Sequence, residues 1–506
     1  MENYPYLEKI ISARVYDVAE ETPLEIAPTL SEKLGNTVLL KREDLQPVFS
    51  FKLRGAYNKM SQLSEEQKTA GVIAASAGNH AQGVALSAQR MKIKSIIVMP
   101  KTTPQIKISS VRRYGSEVVL HGSAYDEAYL HAKILAEKNG MTFIHPYDDP
   151  EVIAGQGTVA MEILKQHPGH IDAIFVPVGG GGLIAGITAF VKRIRPQTKI
   201  IGVEPDDAGC LYEALKANSR VTLDQVGIFA DGVAVRQIGE EPFRIIKDQI
   251  EEVILTSTDE ICAAIKDIFD DTRAICEPAG ALAVAGLKKY VAANKLSGKT
   301  LIAIDSGANM NFDRLRYVSE RAELGENKET LLAVTIPEKP GSFRKFCHAI
   351  GQRSVTEFNY RYSDDKIAHV FAGIQLKNSD LGDDGLLKRL ENQNYQVLNL
   401  TNNEMAKSHI RYMVGGHANN KVENELIFRF IFPERPGALL RFLTHMNLRW
   451  NISLFHYRNH GSAFGRILVG IQVAPEERQE FETFLEELEY PYWNETNNPA
   501  YSLFLG

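Results

Sequence analysis

The chain has 506 residues, a formal net charge of −6 and ordinary fractions of hydrophobic (44%) and charged (24%) residues. That is too long for one hydrophobic core and implies about two to four domains. The mild negative charge, without a basic cluster interleaved with aromatics, argues against a nucleic-acid partner, and no uncharged apolar run is long enough to span a membrane.

Short apolar or β-branched runs occur in chain order at 37–40, 72–75, 95–99, 117–120, 142–144, 173–178, 200–203 and 301–304. Most are continuous rather than alternating, the pattern of parallel strands covered on both faces. Segments such as 81–89, 126–138, 159–166, 183–191 and 259–270 carry helical periodicity between them. The first part of the chain therefore reads as an open α/β sheet region. Met1-Glu2-Asn3-Tyr4-Pro5 lacks the basic start and apolar stretch of a secretory signal. Cys210, Cys262, Cys276 and Cys347 are widely spaced, and the histidines show no ligand spacing. Neither a disulfide framework nor a metal site is expected, and the cytoplasm is the default compartment.

Four stretches in this region can carry chemistry. In Ser50-Phe51-Lys52-Leu53-Arg54-Gly55, Lys52 lies between apolar neighbours and opens a helix after the turn containing Pro47. Apolar surroundings disfavour the ammonium, which suits an amine that condenses with an aldehyde; the plain structural reading is a snorkelling lysine. Ser76-Ala77-Gly78-Asn79-His80 joins a strand to a helix and exposes a helix start suited to a carboxylate, or simply caps it. His80 has no partner that the sequence names and reads as structural. Gly179-Gly180-Gly181-Gly182 again lies between strand and helix. One or two glycines would make a tight turn, whereas four let several backbone N–H groups approach a phosphate. Ser306 follows a strand, where a turn or cap serine is equally ordinary.

Together with Glu277-Pro278-Ala279-Gly280 and Ser306-Gly307-Ala308-Asn309, these stretches resemble the fold-type II pyridoxal-phosphate enzymes (tryptophan synthase β-like), most closely the threonine dehydratases, or threonine ammonia-lyases. The resemblance covers nearly the whole chain. It implies two α/β lobes with pyridoxal 5′-phosphate between them. It further implies Lys52 as catalytic and cofactor-bearing residue, and Phe51 packed on the ring. Asn79 would meet the 3′-oxygen, Gly179, Gly180, Gly181 and Gly182 would hold the phosphate with Leu183 at the edge, and Ser306 would face the ring nitrogen. Ser76, Ala77, Gly78 and Asn79 would take the substrate carboxylate. L-threonine, and also L-serine, would be the substrates, with 2-oxobutanoate and ammonia the products from threonine. A racemase of this fold places a serine hydroxyl where this chain has Ala77, which speaks against racemisation.

Near residues 320–328 the composition turns charged, and beyond it an internal repeat begins. Leu331-Leu332-Ala333-Val334-Thr335-Ile336-Pro337-Glu338-Lys339-Pro340-Gly341 matches Ile427-Phe428-Arg429-Phe430-Ile431-Phe432-Pro433-Glu434-Arg435-Pro436-Gly437, and Phe358-Asn359-Tyr360-Arg361 matches Phe455-His456-Tyr457-Arg458. The shared plan is strand, Pro-Gly turn, helix, two strands and a closing helix. The expected organisation is a catalytic domain over 1–322, a linker over 323–330, modules over 331–403 and 425–506, and a connector over 404–424. The modules resemble the ACT-like units of regulated biosynthetic enzymes. The resemblance implies isoleucine as inhibitor and valine as its antagonist, effector sites at Tyr360 and Tyr457, and a homotetramer.

Overall fold

In a computed structural model, the residues described are 6–227, 229–377, 385–412, 422–433, 438–445, 449–458, 464–488, 490–499, 501 and 505. The chain divides into two compact units, one ending at Gly325 and the other beginning at Glu326.

Among the described residues, the first unit contains ten strands: β1 Leu24–Ile26, β2 Thr37–Arg42, β3 Val72–Ala75, β4 Ser95–Met99, β5 Glu117–Leu120, β6 Thr142–Phe143, β7 Ala173–Pro177, β8 Lys199–Pro205, β9 Glu252–Thr256 and β10 Thr300–Asp305. They form a six-stranded sheet, ordered β1-β2-β10-β7-β8-β9, and a four-stranded sheet, ordered β5-β4-β3-β6. All pairings are parallel except β1 with β2. β3, β4 and β7 are buried throughout, as their continuous apolar sequences require. β1 and β9 were not among the expected strands; β1 is short and largely exposed, while β9 lies at a sheet edge.

The helix expected over 159–166 instead runs Pro150–Gln166, started by Pro150 behind the capping Asp149. Its early turns hold Gly155 and Gly157, which weaken the helical signal but allow close packing. A Cβ at Gly155 would sit 2.6 Å from the Arg54 carbonyl oxygen, and one at Gly186 2.6 Å from the Gly157 nitrogen. These contacts press the Pro150–Gln166 helix against both the Lys52–Ser61 and the Gly182–Ile194 helices. The lysine and the glycine loop are thereby fixed to one rigid element.

Among the described residues, the second unit has eight strands: β11 Glu329–Pro337, β12 Val355–Arg361, β13 Ile367–Gln375, β14 Gln396–Asn399, β15 Glu425–Pro433, β16 Asn451–Arg458, β17 Phe464–Gln472 and β18 Tyr492–Asn494. They make one antiparallel sheet, ordered β14-β11-β13-β12-β16-β17-β15-β18. The two repeats meet at β12 and β16, where Phe358 lies opposite Tyr457 and Tyr360 opposite Phe455. Each repeat ends in a further strand, β14 or β18, that the shared plan did not include. Both are short edge strands with little burial, so they carry no apolar pattern to read. Of the expected connector, Glu404–Ser408 is helical, and 413–421 lie outside the described residues, as do 434–437 of the repeat motif.

Candidate active site

The candidate residues lie at element ends that the two sheets bring together. Asn79 follows β3, the glycine loop follows β7 and Ser306 follows β10, all at the carboxyl ends of parallel strands. That is where open α/β sheets place their ligands. One cavity is lined by Phe51, Lys52, Asn79, Gly179, Gly180, Gly181, Gly182, Leu183 and Ser306. Backbone contacts knit two of the segments. Ser50 bridges Gly307, the Phe51 N–H donates to the Ser306 carbonyl at 3.4 Å, and the Ala308 N–H donates to the Phe49 carbonyl at 2.9 Å.

Lys52 begins its helix with Nζ 5.1 Å from the Phe51 ring centroid. Burial lowers its ammonium to about 8, with the Glu277 carboxylate opposing that shift. The neutral amine is thus accessible near physiological pH, as nucleophile and as base. Burial also pushes the Glu277 carboxyl up to about 7, reinforced by Asp231 and opposed by the Asn79 hydrogen bond, Lys107 and Lys52. Asn79 is buried; its Nδ2 donates to Glu277 at 2.6 Å, and its Oδ1 accepts from Asn309 at 2.8 Å. The Ser306 hydroxyl donates to the Ala279 carbonyl at 3.2 Å, a long bond that a better acceptor in the cavity can replace.

At the other end of the cavity, Gly181 has φ +91° and precedes the first turn of the Gly182–Ile194 helix. A Cβ on Gly180 would run into the Tyr147 ring, and one on Gly179 would lie 2.9 Å from the Val233 Cα. Only glycine lets this backbone lie flush against its neighbours while presenting N–H groups at a helix start.

Ser76, Ala77 and Gly78 form the half-buried approach to Asn79 and do not line the cavity; the Ser76 hydroxyl accepts the Gly78 N–H at 3.2 Å. His80 Nε2 lies 2.9 Å from the Ile144 carbonyl, which can only accept, so that nitrogen carries the proton. Burial lowers the ring to about 3 and keeps it neutral, consistent with its structural reading.

Tyr147, Gln156 and Glu277 also line the cavity, and the sequence assigned them no role. Glu277 belonged to a noted motif, but Pro278 behind it reads as an ordinary helix start. Among the described residues no group of three or more His, Cys, Asp or Glu could hold a metal ion, and no helix is long and apolar enough to cross a membrane.

In the second unit Tyr360 and Tyr457 are buried on adjacent strands. The Tyr360 hydroxyl donates to Glu338, which also accepts from Asn451 Nδ2 of the other repeat at 3.0 Å. Burial, followed by this hydrogen bond, raises the Tyr360 phenol.

Residues 15–307 match the family model for pyridoxal-phosphate dependent enzymes, and 320–410 with 416–505 match the C-terminal regulatory domain of threonine dehydratase. A biosynthetic L-threonine dehydratase of Burkholderia multivorans is 55% identical over the full length of both chains. The chain belongs to the threonine dehydratase family of pyridoxal-phosphate dependent enzymes. Among solved structures, the processed form of threonine deaminase isoform 2 from Solanum lycopersicum matches 63% of this chain and 88% of its own, with 53% identity and a TM-score of 0.62. Maize serine racemase matches 62% of this chain and 96% of its own at 31% identity, with a TM-score of 0.58.

The cavity fits the cofactor of this dehydratase family: it offers a buried amine, a glycine cradle at a helix start, an amide and a hydroxyl. Gly180→Ala should therefore weaken pyridoxal-phosphate binding by about tenfold or more, because the displaced Tyr147 ring and the added methyl deform the cradle. Titration of the cofactor-free protein, followed by visible absorbance, measures this. Unchanged affinity would place the phosphate elsewhere.

Proposed function

We propose that the enzyme converts L-threonine to 2-oxobutanoate and ammonia, accepts L-serine as a second substrate, and is the isoleucine-inhibited first committed step of isoleucine biosynthesis. The convergence of Lys52, Asn79, the glycine loop and Ser306 on one cavity supports this reading. The full-length likeness to a biosynthetic threonine dehydratase supports the choice of substrate.

In this mechanism the cofactor, when bound, supplies an electron sink for the bond breaking at Cα. Gly179, Gly180, Gly181 and Gly182, with Leu183 at the edge, would hold its phosphate. Phe51 would pack on the ring, Asn79 would meet the 3′-oxygen and Ser306 would offer its hydroxyl to the ring nitrogen. Ser76, Ala77, Gly78 and Asn79 orient the substrate carboxylate. Lys52 Nζ, as a free amine, would remove the Cα proton. The electron pair of that C–H bond would form the Cα–Cβ double bond as the β-hydroxyl leaves with the C–O pair, and the proton that Lys52 took from Cα would pass to that oxygen to give water. The released enamine tautomerises and is hydrolysed to the oxo acid and ammonia. A serine dehydratase or racemase on this fold is the alternative, and Ala77 disfavours the racemase by offering no hydroxyl as a second acid.

The second unit serves as the sensor, with modules over 331–403 and 425–506. Isoleucine binds near Tyr360 and Tyr457 and favours a less active state, valine opposes it, and the enzyme works as a cytoplasmic homotetramer. An effector shifts such an equilibrium only by its differential affinity for the two states, typically about 1–3 kcal/mol.

Purified protein incubated with threonine should release 2-oxobutanoate and ammonia in equal amounts, and isoleucine should suppress both. A chain lacking residues 326–506 that retains turnover should lose the isoleucine response. Racemised amino acid without oxo acid would overturn the catalytic reading. Full inhibition of the truncated enzyme would move the sensor into the first unit.

A further inference from the structure

The side chain of Asn79 is clamped at both ends of its amide. Its Oδ1 accepts from Asn309 Nδ2 at 2.8 Å, and its Nδ2 donates to Glu277 Oε1 at 2.6 Å. The direction of this chain is set from outside it. Asn309 Nδ2 also donates to the Val48 backbone carbonyl at 2.8 Å, and a carbonyl can only accept. The Asn309 nitrogen must therefore face Val48, and its second N–H reaches Asn79, whose facing atom must be oxygen. The Asn79 nitrogen is left toward Glu277, with one N–H still unused.

Asn79 and Glu277 are 9% and 3% exposed, so a reversed amide would pay for mismatched donors without help from water. Both line the cavity beside Lys52 and Ser306. The Glu277 oxygen that faces Asn79 lies at 2.6 Å from its Nδ2, which agrees with the direction that the Val48 carbonyl fixes at the other end.

We propose that Glu277 and Asn309 are positioning residues that hold the Asn79 amide with its N–H, not its C=O, toward the cofactor's 3′-oxygen. The proposal rests on the reading that Asn79 meets that oxygen. A donor there favours the ionised oxygen, whereas a carbonyl would favour the hydroxyl form. A glutamine at 277 can donate as well as accept and releases one end of the clamp. An aspartate at 309 cannot donate to Val48 when ionised and releases the other.

The test uses the full-length chain loaded with pyridoxal phosphate and the variants Glu277→Gln, Asn309→Asp and Asn79→Ala. Two quantities are read at fixed pH: the ratio of the absorbance bands of the ionised and hydroxyl forms of the bound cofactor, and the cofactor dissociation constant. Glu277→Gln and Asn309→Asp should each move the ratio toward the hydroxyl form, and Glu277→Gln should weaken binding by about tenfold. Adding Glu277→Gln to Asn79→Ala should change the ratio no further, because the effect passes through the amide. A direct effect of the lost charge would persist in that double variant and overturn the proposal. So would a wild-type ratio in folded Glu277→Gln or, should that variant not fold, in Asn309→Asp. If Asn79→Ala alone shifts the ratio, the Asn79 reading stands whatever Glu277 does; if Asn79→Ala is silent, both fall.

Discussion

Lys52→Ala should abolish threonine deamination and the visible absorbance of the bound cofactor together, with turnover falling by at least about 10³-fold. The size follows from the two tasks assigned to one amine, covalent attachment and Cα proton removal; the second alone contributes about 10²–10⁴-fold. The geometry makes substitution by another group implausible. His80 is neutral and bonded to the Ile144 carbonyl, and Glu277 is tied to Asn79. Lys107, the other lysine that acts on Glu277, is engaged with Asp231 at 2.5 Å. Added alkylamines should restore part of the turnover without restoring the absorbance of a lysine-bound cofactor, because they replace the base and not the attachment. Assays of oxo-acid release and absorbance spectra on the same preparation measure both. Deamination near the wild-type rate would remove Lys52 from the mechanism.

Much of the first unit was legible because its strands are buried on both faces. β3 and β4 have the expected bounds, since a continuous apolar run ends where burial ends, and the half-exposed edge strand β5 also has them through its β-branched Val118 and Val119. The glycine loop was legible for a related reason, as four consecutive glycines have few uses other than close backbone approach. What escaped notice depends on partners remote in sequence. Glu277 acquires its meaning from Asn79, 198 positions away, and Gln156 from the Gly55 N–H that its side chain accepts at 3.2 Å. The first half of the Pro150–Gln166 helix was hidden because the glycines that serve its packing lower its intrinsic propensity. In the second unit the repeat marked β11 and β15 with their following helices, but β14 and β18 are too short and exposed to carry a pattern.

The same limit hid a buried ionic cluster beside the lysine. Arg54, two residues beyond Lys52, donates from Nε to Glu43 at 2.7 Å, from Nη2 to Glu43 at 2.8 Å, and from Nη1 and Nη2 to Glu162 at 2.6 and 2.9 Å. Lys41 adds a bond to Glu162 at 2.6 Å, and all four side chains are at most 1% exposed. In sequence these residues look like an ordinary charged turn and helix. In the fold they join β2, the lysine helix and the Pro150–Gln166 helix.

Arg54→Leu should therefore destabilise the first unit by about 3–5 kcal/mol at neutral pH, because it leaves two buried carboxylates with one cation. Burial alone would raise the Glu43 carboxyl, but Arg54, through its charge and hydrogen bonds, holds it below the usual 4.5. Its contribution in the wild type is thus complete above that value and is lost as pH falls through the folded-state value. In the variant burial is opposed by Lys41 and the Thr22 hydrogen bond without Arg54, so the carboxyl titrates higher than in the wild type and the stability difference grows as pH rises. The gap between the two proteins should be widest near pH 7 and narrow toward about pH 4.5. Urea-induced loss of the cofactor absorbance, followed across that range, reports on this unit alone. Arg54→Lys should recover little, since one ammonium cannot bridge two carboxylates in the guanidinium's geometry. A variant within about 1 kcal/mol of wild type at pH 7, or a gap that widens on acidification, would mean that this cluster does not anchor the lysine helix.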